Sequence, residues 1–343
     1  MKNMIFKRRL PIPKELKEMY PVSEEGARAK QSNDAEIKKI ITGESDKMLL
    51  VIGPCSADRE DAVLEYIQRL SALKDKVSDK IFIVPRIFTN KPRSNGAGYM
   101  GMLHQPDPNA EPDILQGLIA LRRLHMRVLN ETGFSCADEM LYPEEHRFLS
   151  DLLSYVTVGA RSVENQQHRL TASGLDIPVG LKNPTSGDLS MMLKAIAAAQ
   201  TPHTFIYRNW EVQSKGNPLA HAILRGWLDA NGNTHANFDF DTLIRLSSLY
   251  ISTSLNNPAL VIDTNHANSG KDFLKQGDIA KAVLESAAKS ADIKRLLKGF
   301  MIESYLEDGC QQPGGSQYGQ SITDPCLGWE KTEKLIFELA EIW

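Results

Sequence analysis

The sequence predicts an α/β protein, a (β/α)₈ TIM barrel with an N-terminal extension and an insertion at strand six. From Met48 onward, eight short apolar or β-branched runs alternate with longer segments whose apolar residues recur at intervals of three and four, as in strands and amphipathic helices. Each run leads into a polar or reactive side chain, at the strand end where such barrels carry their working residues. A doubly wound sheet has the same alternation, so the strand count alone leaves that fold possible.

The predicted strands lie in eight stretches, in which two neighbouring runs are counted as one interrupted strand six. They are MLLVIGPC, KIFIVPRIF, FSCADEML, YVTVGAR, IPVGLKN, HTFIYR with AHAILRG, ALVIDTNHAN and KGFMIESYL. The clearest helical segments are DAVLEYIQRLSALKDK, EPDILQGLIALRRLHMRVLNE, GDLSMMLKAIAAAQ and DFDTLIRLSSLYISTS. The interruption RNWEVQSKGNP carries Gly216 and Asn217, which favour a turn, so we expect a hairpin or excursion there.

The first 47 residues are expected to lie outside the barrel. The segment SEEGARAKQSNDAEIKKIITGES follows a proline-marked arm and is typical of one helix that is exposed or packed on a partner. We therefore expect an N-terminal arm and helix over residues 1–47, an appendage with oligomer or effector contacts, and a catalytic barrel over residues 48–343.

The composition excludes several classes of partner. Of 343 residues, 42% are hydrophobic and 24% charged, and 40 basic and 43 acidic side chains give a net charge of −3. Such a balance offers no general attraction for nucleic acid or an anionic membrane. No apolar run approaches the roughly 18 residues of a membrane span, and the N-terminus lacks the apolar core of a signal peptide. We therefore expect a cytoplasmic protein whose four cysteines are reduced thiols.

The polar residues that end the predicted strands would converge on one rim of a barrel. A single polar residue after a strand is usually a solvated loop residue. Eight in succession favour a functional site, and they are Cys55, Arg86, Glu139, Arg161, Lys182, Arg225, His266 and Glu303.

Several cations belong to this rim. Lys91 and Arg93, in TNKPRSNG, would join Arg86, Arg161, Lys182 and Arg225. So many positive charges around one mouth repel one another unless anions neutralise them. Arginine grips phosphate or carboxylate bidentately and lysine adds a compact charge, so a substrate with several negative charges is indicated. The chain has no P-loop and no G-x-G-x-x-G, so nucleotide binding is not expected.

A second set of rim residues has the donor types of a metal site. Taken alone, a cysteine after Gly-Pro is more often a small buried hydrophobe and a histidine after a strand more often a structural residue. Together, Cys55, His266, Glu303 and Asp324 of the SITDPC loop offer sulfur, nitrogen and oxygen. This mixture suits one divalent ion, Mn, Fe, Co or Zn, without choosing among them. Cys326 is also expected near Cys55, because it lies two residues after Asp324.

The motifs GPCS, KPRS, GARS, GLKNPTSG, ILRG, NHANS, MIES and SITDPCLGWE resemble, in order and spacing, those of class I 3-deoxy-D-arabino-heptulosonate 7-phosphate (DAHP) synthases, the aromatic-amino-acid-regulated type of microbes. The resemblance covers about residues 45–335. It implies a metal-dependent barrel that condenses phosphoenolpyruvate with erythrose 4-phosphate and water and releases inorganic phosphate, the first step of the shikimate pathway. It also implies a homodimer or homotetramer and a possible aromatic amino acid effector.

The resemblance further implies a role for each rim residue. Cys55, His266, Glu303 and Asp324 would bind the metal. The phosphate of phosphoenolpyruvate would lie at Arg161 and Arg225, its carboxylate at Arg86 and Lys182, and a water beside it at Glu139. Lys91 would lie between the substrates, and Arg93 and Ser94 would bind the phosphate of erythrose 4-phosphate. Lys91, Glu139, Lys182 and His266 are the expected catalytic residues, and the proton donor stays open between Lys91 and a metal-bound water.

Some positions depart from the usual family pattern. Ser94 replaces a threonine but keeps the hydroxyl, and Pro184 stands where glycine is common. Asp176 and Tyr207 stand where small hydroxyl residues are frequent in inhibited members. The identity of any inhibitor, and service in primary or secondary metabolism, therefore stay open.

Two alternative functions are compatible with parts of the pattern. A Schiff-base sugar-phosphate aldolase would use Lys182 as its nucleophile. A non-catalytic sugar-phosphate-binding barrel would need the cations but not the metal ligands.

Overall fold

The computed structural model describes residues 2–93 and 98–343. Its strands are, in chain order, β1 (Met48–Gly53), β2 (Ile81–Pro85), β3 (Cys136–Glu139), β4 (Leu153–Val158), β5 (Val179–Lys182), β6 (Thr204–Tyr207), β7 (Trp210–Gln213), β8 (Ala220–Leu224), β9 (Trp227–Leu228), β10 (Thr234–His235), β11 (Leu260–Asp263) and β12 (Leu297–Glu303). Eight of these described strands form one sheet in the order β2-β1-β12-β11-β8-β5-β4-β3. A parallel bridge from Arg86 to Ala137 joins its two ends. The predicted barrel is confirmed.

The described residues form twelve α-helices, most of which cover the outside of this sheet, as the amphipathic segments predict. They are α1 (Pro13–Met19), α2 (Glu24–Thr42), α3 (Glu60–Val77), α4 (Ile114–Thr132), α5 (Pro143–Leu149), α6 (Gln166–Ala172), α7 (Leu189–Gln200), α8 (Phe240–Ser252), α9 (His266–Ser269), α10 (Gln276–Lys289), α11 (Ala291–Leu296) and α12 (Trp329–Ile342), with a 3₁₀ turn at Phe273–Lys275. Within the ranges that the structure describes, no helix has the length and apolar character needed to cross a bilayer.

The barrel strands are buried on both faces. In β1, Leu49 and Val51 belong to the interior cluster, whereas Leu50 and Ile52 pack in the larger cluster beneath the helices. This two-sided burial explains why β1 is a continuous apolar run and not an alternating one.

Helix α2 closes the barrel interior at one end. Ser23 caps its first turn by accepting a hydrogen bond from the Gly26 amide at 3.0 Å. Ile37, Ile40 and Ile41 are fully buried in the interior cluster, and burying each such side chain contributes about 1.5–3 kcal/mol. The sequence pattern predicts a helix that is exposed or packed on a partner, in an appendage outside the barrel. That expectation is wrong for the face that carries these three isoleucines, which packs in the barrel interior.

The insertion at strand six is a separate hairpin. Strands β6 and β7 pair with each other in antiparallel orientation, and β8 alone pairs with β5 and β11 in the barrel. Counting HTFIYR as half of barrel strand six is therefore wrong, and the expectation of a hairpin is confirmed. The chain returns tightly from the hairpin because Gly216 has φ 80° and a Cβ there would lie 2.1 Å from the Gln200 carbonyl oxygen.

One buried histidine predicts a pH dependence of stability. The His221 ring is fully buried; it donates to the Leu219 carbonyl at 2.9 Å, and its Nε2 lies 2.7 Å from the Tyr155 hydroxyl. Burial lowers the pKa of His221 to about 4. In the unfolded chain this histidine takes up a proton near pH 6.5. The contribution of neutral His221 to the free energy of unfolding is therefore complete above pH 6.5 and is lost as the pH falls toward 4.

We therefore expect the free energy of unfolding of the His221→Asn variant to fall less steeply between pH 6.5 and 4, by up to about 1.4 kcal/mol per pH unit. Urea unfolding at pH 7, 6 and 5 measures this slope. An unchanged slope in the variant would contradict the assignment.

Candidate active site

The carboxyl ends of the barrel strands surround a cavity of about 230 Å³. Ten of the rim residues singled out from the sequence line it: Cys55, Arg86, Lys91, Arg93, Glu139, Arg161, Lys182, Arg225, His266 and Asp324. Glu303 lies against this set with 1% of its surface exposed. Ser94 lies outside the described residues. The structure thus brings the predicted residues to one mouth.

The turn Gly53-Pro54 brings Cys55 close to Arg86. A Cβ at Gly53 would lie 2.2 Å from the Arg86 carbonyl oxygen, so only glycine permits this approach of the chains after β1 and β2. The Pro54 carbonyl accepts a hydrogen bond from the Arg86 guanidinium. Cys326 is also here, as expected, because its sulfur accepts from the Cys55 amide at 3.4 Å.

Three of the four proposed metal ligands are clustered. The Cys55 sulfur and one carboxylate oxygen each of Glu303 and Asp324 all lie within 4.8 Å of one another. The His266 Nε2 lies 3.8 Å from Glu303 Oε1. Burial and the neighbouring Glu303 raise the pKa of Cys55 to about 11, and a bound divalent cation would favour the thiolate. The donor set therefore fits a divalent metal.

A lysine ammonium already contacts this cluster. Lys91 Nζ lies 2.6 Å from Cys55 Sγ and 2.8 Å from Asp324 Oδ2, and Lys271 Nζ lies 2.8 Å from Asp324 Oδ1. Burial opposes the ionised form of Asp324, yet Lys91 and Lys271 hold its pKa well below the usual range. A positive charge is thus accommodated among the proposed ligands.

A buried carboxylate orients His266. Asp263, the last residue of β11, is fully buried and lies 2.9 Å from His266 Nδ1 and 3.0 Å from Lys182 Nζ. With Nδ1–H donated to Asp263, the Nε2 lone pair faces Glu303, which is the usual carboxylate–histidine arrangement of a metal site. Backbone strain accompanies this placement, since His266 has φ 51°.

Two side chains outside the proposed metal ligands donate hydrogen bonds to the Glu303 carboxylate. Arg86 Nη2 donates to Glu303 Oε1 at 2.8 Å, and Asn265 Nδ2 donates to Glu303 Oε2 at 2.5 Å. Arg86 is itself 2% exposed. Burial raises the pKa of a carboxylate, but the guanidinium of Arg86 keeps the pKa of Glu303 below its usual value.

Two arginines offer free positive charge to the cavity. Within residues 2–93 and 98–343, the guanidinium groups of Arg161 and Arg225 form no ion pair with a carboxylate. Burial lowers the pKa of Arg225, and the charge of Arg161 lowers it further. Two guanidinium groups that line one cavity, with no carboxylate within ion-pair distance among the described residues, can bind a dianion such as phosphate.

Glu139 enters the cavity across a glycine. A Cβ at Gly159 would lie 2.1 Å from Glu139 Oε1, so glycine leaves the room that this carboxylate occupies. Both residues line the cavity together with Arg161. This contact supplies a physical reason for glycine in the sequence GARS.

The sequence matches the description "DAHP synthetase I family" over residues 20–336. The chain belongs to the DAHP synthetase I family. It is therefore an enzyme, a transferase of the DAHP synthase class, in keeping with the sequence resemblance. The Tyr-sensitive phospho-2-dehydro-3-deoxyheptonate aldolase of Escherichia coli strain K12 is 35% identical over 339 residues, covering 96% of this chain and 92% of that protein.

Other relatives agree with this assignment. The Trp-sensitive phospho-2-dehydro-3-deoxyheptonate aldolase of the same Escherichia coli strain is 36% identical over 340 residues, covering 96% of this chain and 94% of that protein. The solved structure of a phospho-2-dehydro-3-deoxyheptonate aldolase from Francisella tularensis SCHU S4 is 32% identical and superimposes with a TM-score of 0.91, covering 99% of this chain and 98% of that one.

Three residues of this DAHP synthase site were not singled out from the sequence: Asp263, Asn265 and Lys271. The segment VIDTNHANSGK contains all of them, and Asp263 ends a buried strand. A charged residue at the end of a buried strand was the available signal for Asp263. Lys271 lies two residues after α9, and no pattern in the sequence indicates its contact with Asp324.

Proposed function

We propose that this enzyme condenses phosphoenolpyruvate with erythrose 4-phosphate and water to form DAHP and inorganic phosphate, with one divalent metal held by Cys55, His266, Glu303 and Asp324. The observation that carries the proposal is a cluster of sulfur and oxygen donors in one cavity with two arginines, Arg161 and Arg225, that form no ion pair with any described carboxylate. Two phosphorylated substrates, one of which is also a carboxylate, match that charge distribution.

The proposed phosphoenolpyruvate position follows from the cations. Arg161 and Arg225 would bind its phosphate, because among the described residues no carboxylate pairs with them. Arg86 and Lys182 would face its carboxylate. Arg86 is paired with the buried Glu303 and Lys182 with the buried Asp263. These ion pairs fix both side chains before the substrate arrives. Glu139, in the same cavity, would hold the attacking water.

Erythrose 4-phosphate would bind beside the segment that follows β2. Arg93 is exposed, and its Nε donates to the Tyr99 carbonyl at 3.0 Å, which fixes the guanidinium plane. With Ser94, it would bind the phosphate of this substrate. The aldehyde end would then lie toward Lys91 and the metal ligands.

These residues suit the bond changes of the reaction. A bound divalent metal would supply Lewis-acid polarisation of the aldehyde oxygen. As C3 of phosphoenolpyruvate attacks the aldehyde carbon, the Lys91 ammonium is placed to donate a hydrogen bond to the oxygen that gains charge. Water held by Glu139 would add at C2, and phosphate would then leave C2 toward Arg161 and Arg225. The sum is one molecule each of DAHP and inorganic phosphate.

We expect phosphate release from phosphoenolpyruvate to require both erythrose 4-phosphate and a divalent metal. Treatment with a chelator should abolish release, and Mn²⁺, Fe²⁺, Co²⁺ or Zn²⁺ should restore it to different extents. A coupled phosphate assay measures this. Release that persists after exhaustive chelation, or that no divalent metal supports, would overturn the proposal.

The two alternative functions have separate tests. A Schiff-base aldolase would be trapped at Lys182 by borohydride with erythrose 4-phosphate present, and a chelator would not affect it. Lys182 instead pairs with Asp263 at 3.0 Å, which favours an electrostatic role. A non-catalytic binding protein would bind sugar phosphate but would release no phosphate from phosphoenolpyruvate, whichever divalent metal is added.

Regulation and assembly are further proposals. A surface groove of about 470 Å³ lies between α1, α5 and the β6–β7 hairpin, lined by Lys17, Arg147, Tyr207 and Arg208 among others. Because relatives are described as Tyr- or Trp-sensitive, we infer that an aromatic amino acid effector binds in this groove. We also propose that the protein is cytoplasmic and forms a homodimer or homotetramer to which residues 1–47 contribute. Inhibition assays with phenylalanine, tyrosine and tryptophan, and mass measurement in solution, test these points.

A further inference from the structure

A pair of buried carboxyl groups lies behind the active site, outside the cavity lining. Asp138 in β3 is 4% exposed and Glu145 in α5 is 6% exposed. Both contact the segment that connects β2 to Lys91. This segment is where Lys91 and Arg93 originate, so whatever fixes it also fixes two of the proposed substrate-binding residues.

The threonine of this segment bridges the two carboxyls. Thr89 donates its amide to Asp138 Oδ1 at 3.0 Å, and its hydroxyl oxygen lies 2.5 Å from Asp138 Oδ2 and 3.1 Å from Glu145 Oε1. The Asn90 amide group donates to Glu145 Oε2. Asp138 Oδ1 also accepts from the backbone amide of Glu139 at 2.7 Å.

The number of hydrogens decides the protonation of the pair. A hydroxyl carries one hydrogen, so Thr89 can donate to only one of the two carboxyls. Asp138 is the nearer acceptor and already accepts two backbone amides, which is the environment of an ionised carboxylate. The contact between the Thr89 hydroxyl oxygen and Glu145 Oε1 is then a hydrogen bond only if Glu145 is protonated and its O–H donates to the Thr89 oxygen.

The surroundings of the pair agree with one shared negative charge. Among the described residues, no lysine or arginine lies within ion-pair distance of either carboxyl, and the nearest ring nitrogen is His125 Nε2, 3.8 Å from Asp138 Oδ2. His146, next to Glu145 in α5, is buried, and burial lowers its pKa to about 4. Burial and the nearby Asp138 raise the pKa of Glu145 well above its usual value.

The same contacts determine where Lys91 can lie. The backbone after β2 is held at Ile87, which donates to the Ala137 carbonyl at 2.9 Å, and at Lys91, which donates to the Met100 carbonyl at 3.0 Å. In between, the Phe88 and Thr89 carbonyls accept from the amides of Ala57 and Leu103 at 2.9 and 3.2 Å. Between these points, Thr89 and Asn90 are anchored by their side chains to the carboxyl pair. Neither carboxyl lines the cavity, so neither is placed to touch a substrate.

We propose that a protonated Glu145 and an ionised Asp138, linked through the Thr89 hydroxyl, are positioning residues that hold the segment bearing Lys91 in its catalytic place. Asp138 also fixes the Glu139 peptide, so the pair supports residues on two sides of the cavity. The kinetic part of this inference rests on the proposed role of Lys91, whereas the protonation of Glu145 does not.

The kinetic test compares isosteric and truncating substitutions. Glu145→Gln can donate to the Thr89 oxygen and accept from Asn90, as the protonated acid does, so kcat should stay within about threefold of wild type. Glu145→Ala and Thr89→Val should lower kcat about 10- to 100-fold, and Thr89→Ser should recover it. KM for phosphoenolpyruvate should change little, because Arg161 and Arg225 follow other strands. Glu144→Ala, an exposed neighbour in α5, is the matched control and should match wild type.

The infrared test is independent of catalysis. At pH 7, the difference spectrum between wild type and Glu145→Gln should contain the carbonyl stretch of one protonated carboxylic acid, lost in the variant. Absence of this band would overturn the shared-proton arrangement, and wild-type kcat in a folded Glu145→Ala or Thr89→Val protein would overturn the positioning role. If the wild-type enzyme released no phosphate, the proposed function would fail while the infrared result would still decide the state of Glu145.

Discussion

Replacing Cys55 with alanine is expected to lower kcat/KM for phosphate release at least about 1,000-fold, equivalent to about 4 kcal/mol of activation free energy. The Cys55 sulfur lies within 4.8 Å of oxygens of both Glu303 and Asp324. Its removal would leave two carboxylates and an imidazole, a harder donor set that binds thiophilic metals less tightly. Metal content after dialysis, measured beside steady-state kinetics, should fall together with activity.

The chain offers a matched control for this substitution. Cys310 is exposed, unlike the other three cysteines, so Cys310→Ser should keep both metal and activity. Cys55→Ser tests the ligand type, because its oxygen should retain Mn²⁺ better than Zn²⁺. A Cys55→Ala protein with full metal content and normal kcat would show that the thiol is a packing residue only.

The residues at the mouth of the barrel could be predicted from the sequence because the carboxyl ends of all eight strands lie at the same rim. Strand ends converge, so Arg86, Lys182 and Arg225, scattered along the chain, had to meet once eight strands closed into a ring. Their exact partners could not be predicted, since each depends on side-chain direction. The ion pair of Arg86 with Glu303 at 2.8 Å joins β2 to β12, which no local pattern indicates.

The errors arise where local pattern and tertiary context differ. HTFIYR has the alternation of a half-buried strand, and it forms a strand, but with β7 outside the barrel. Helix α2 is polar on average and yet buries Ile37, Ile40 and Ile41. Asp138 and Glu145 have no periodic signature either, because a buried polar pair is recognised only by the partners that the fold brings to it.

Asp263→Ala is expected to lower both stability and activity. Burial opposes an ionised Asp263, yet His266 and Lys182 hold its pKa well below the usual range. Without it, Lys182 would be an unpaired charge that is 3% exposed, and losing one partner of a buried pair costs about 3–5 kcal/mol of unfolding free energy. His266 would lose the acceptor of its Nδ1–H, for which we expect about 10- to 100-fold weaker metal affinity.

A double substitution separates these two effects. In Lys182→Ala/Asp263→Ala the orphaned charge is gone, so the double variant should be more stable than the sum of the two single losses allows, a coupling measurable by urea unfolding. Its activity should not recover, because Lys182 is proposed to face the carboxylate of phosphoenolpyruvate. Asp241 is exposed in the first turn of α8, so Asp241→Ala should have little effect on the free energy of unfolding or on activity. Strictly additive stabilities would mean that the pair is not coupled in the folded protein, and Asp263 would then act on His266 alone.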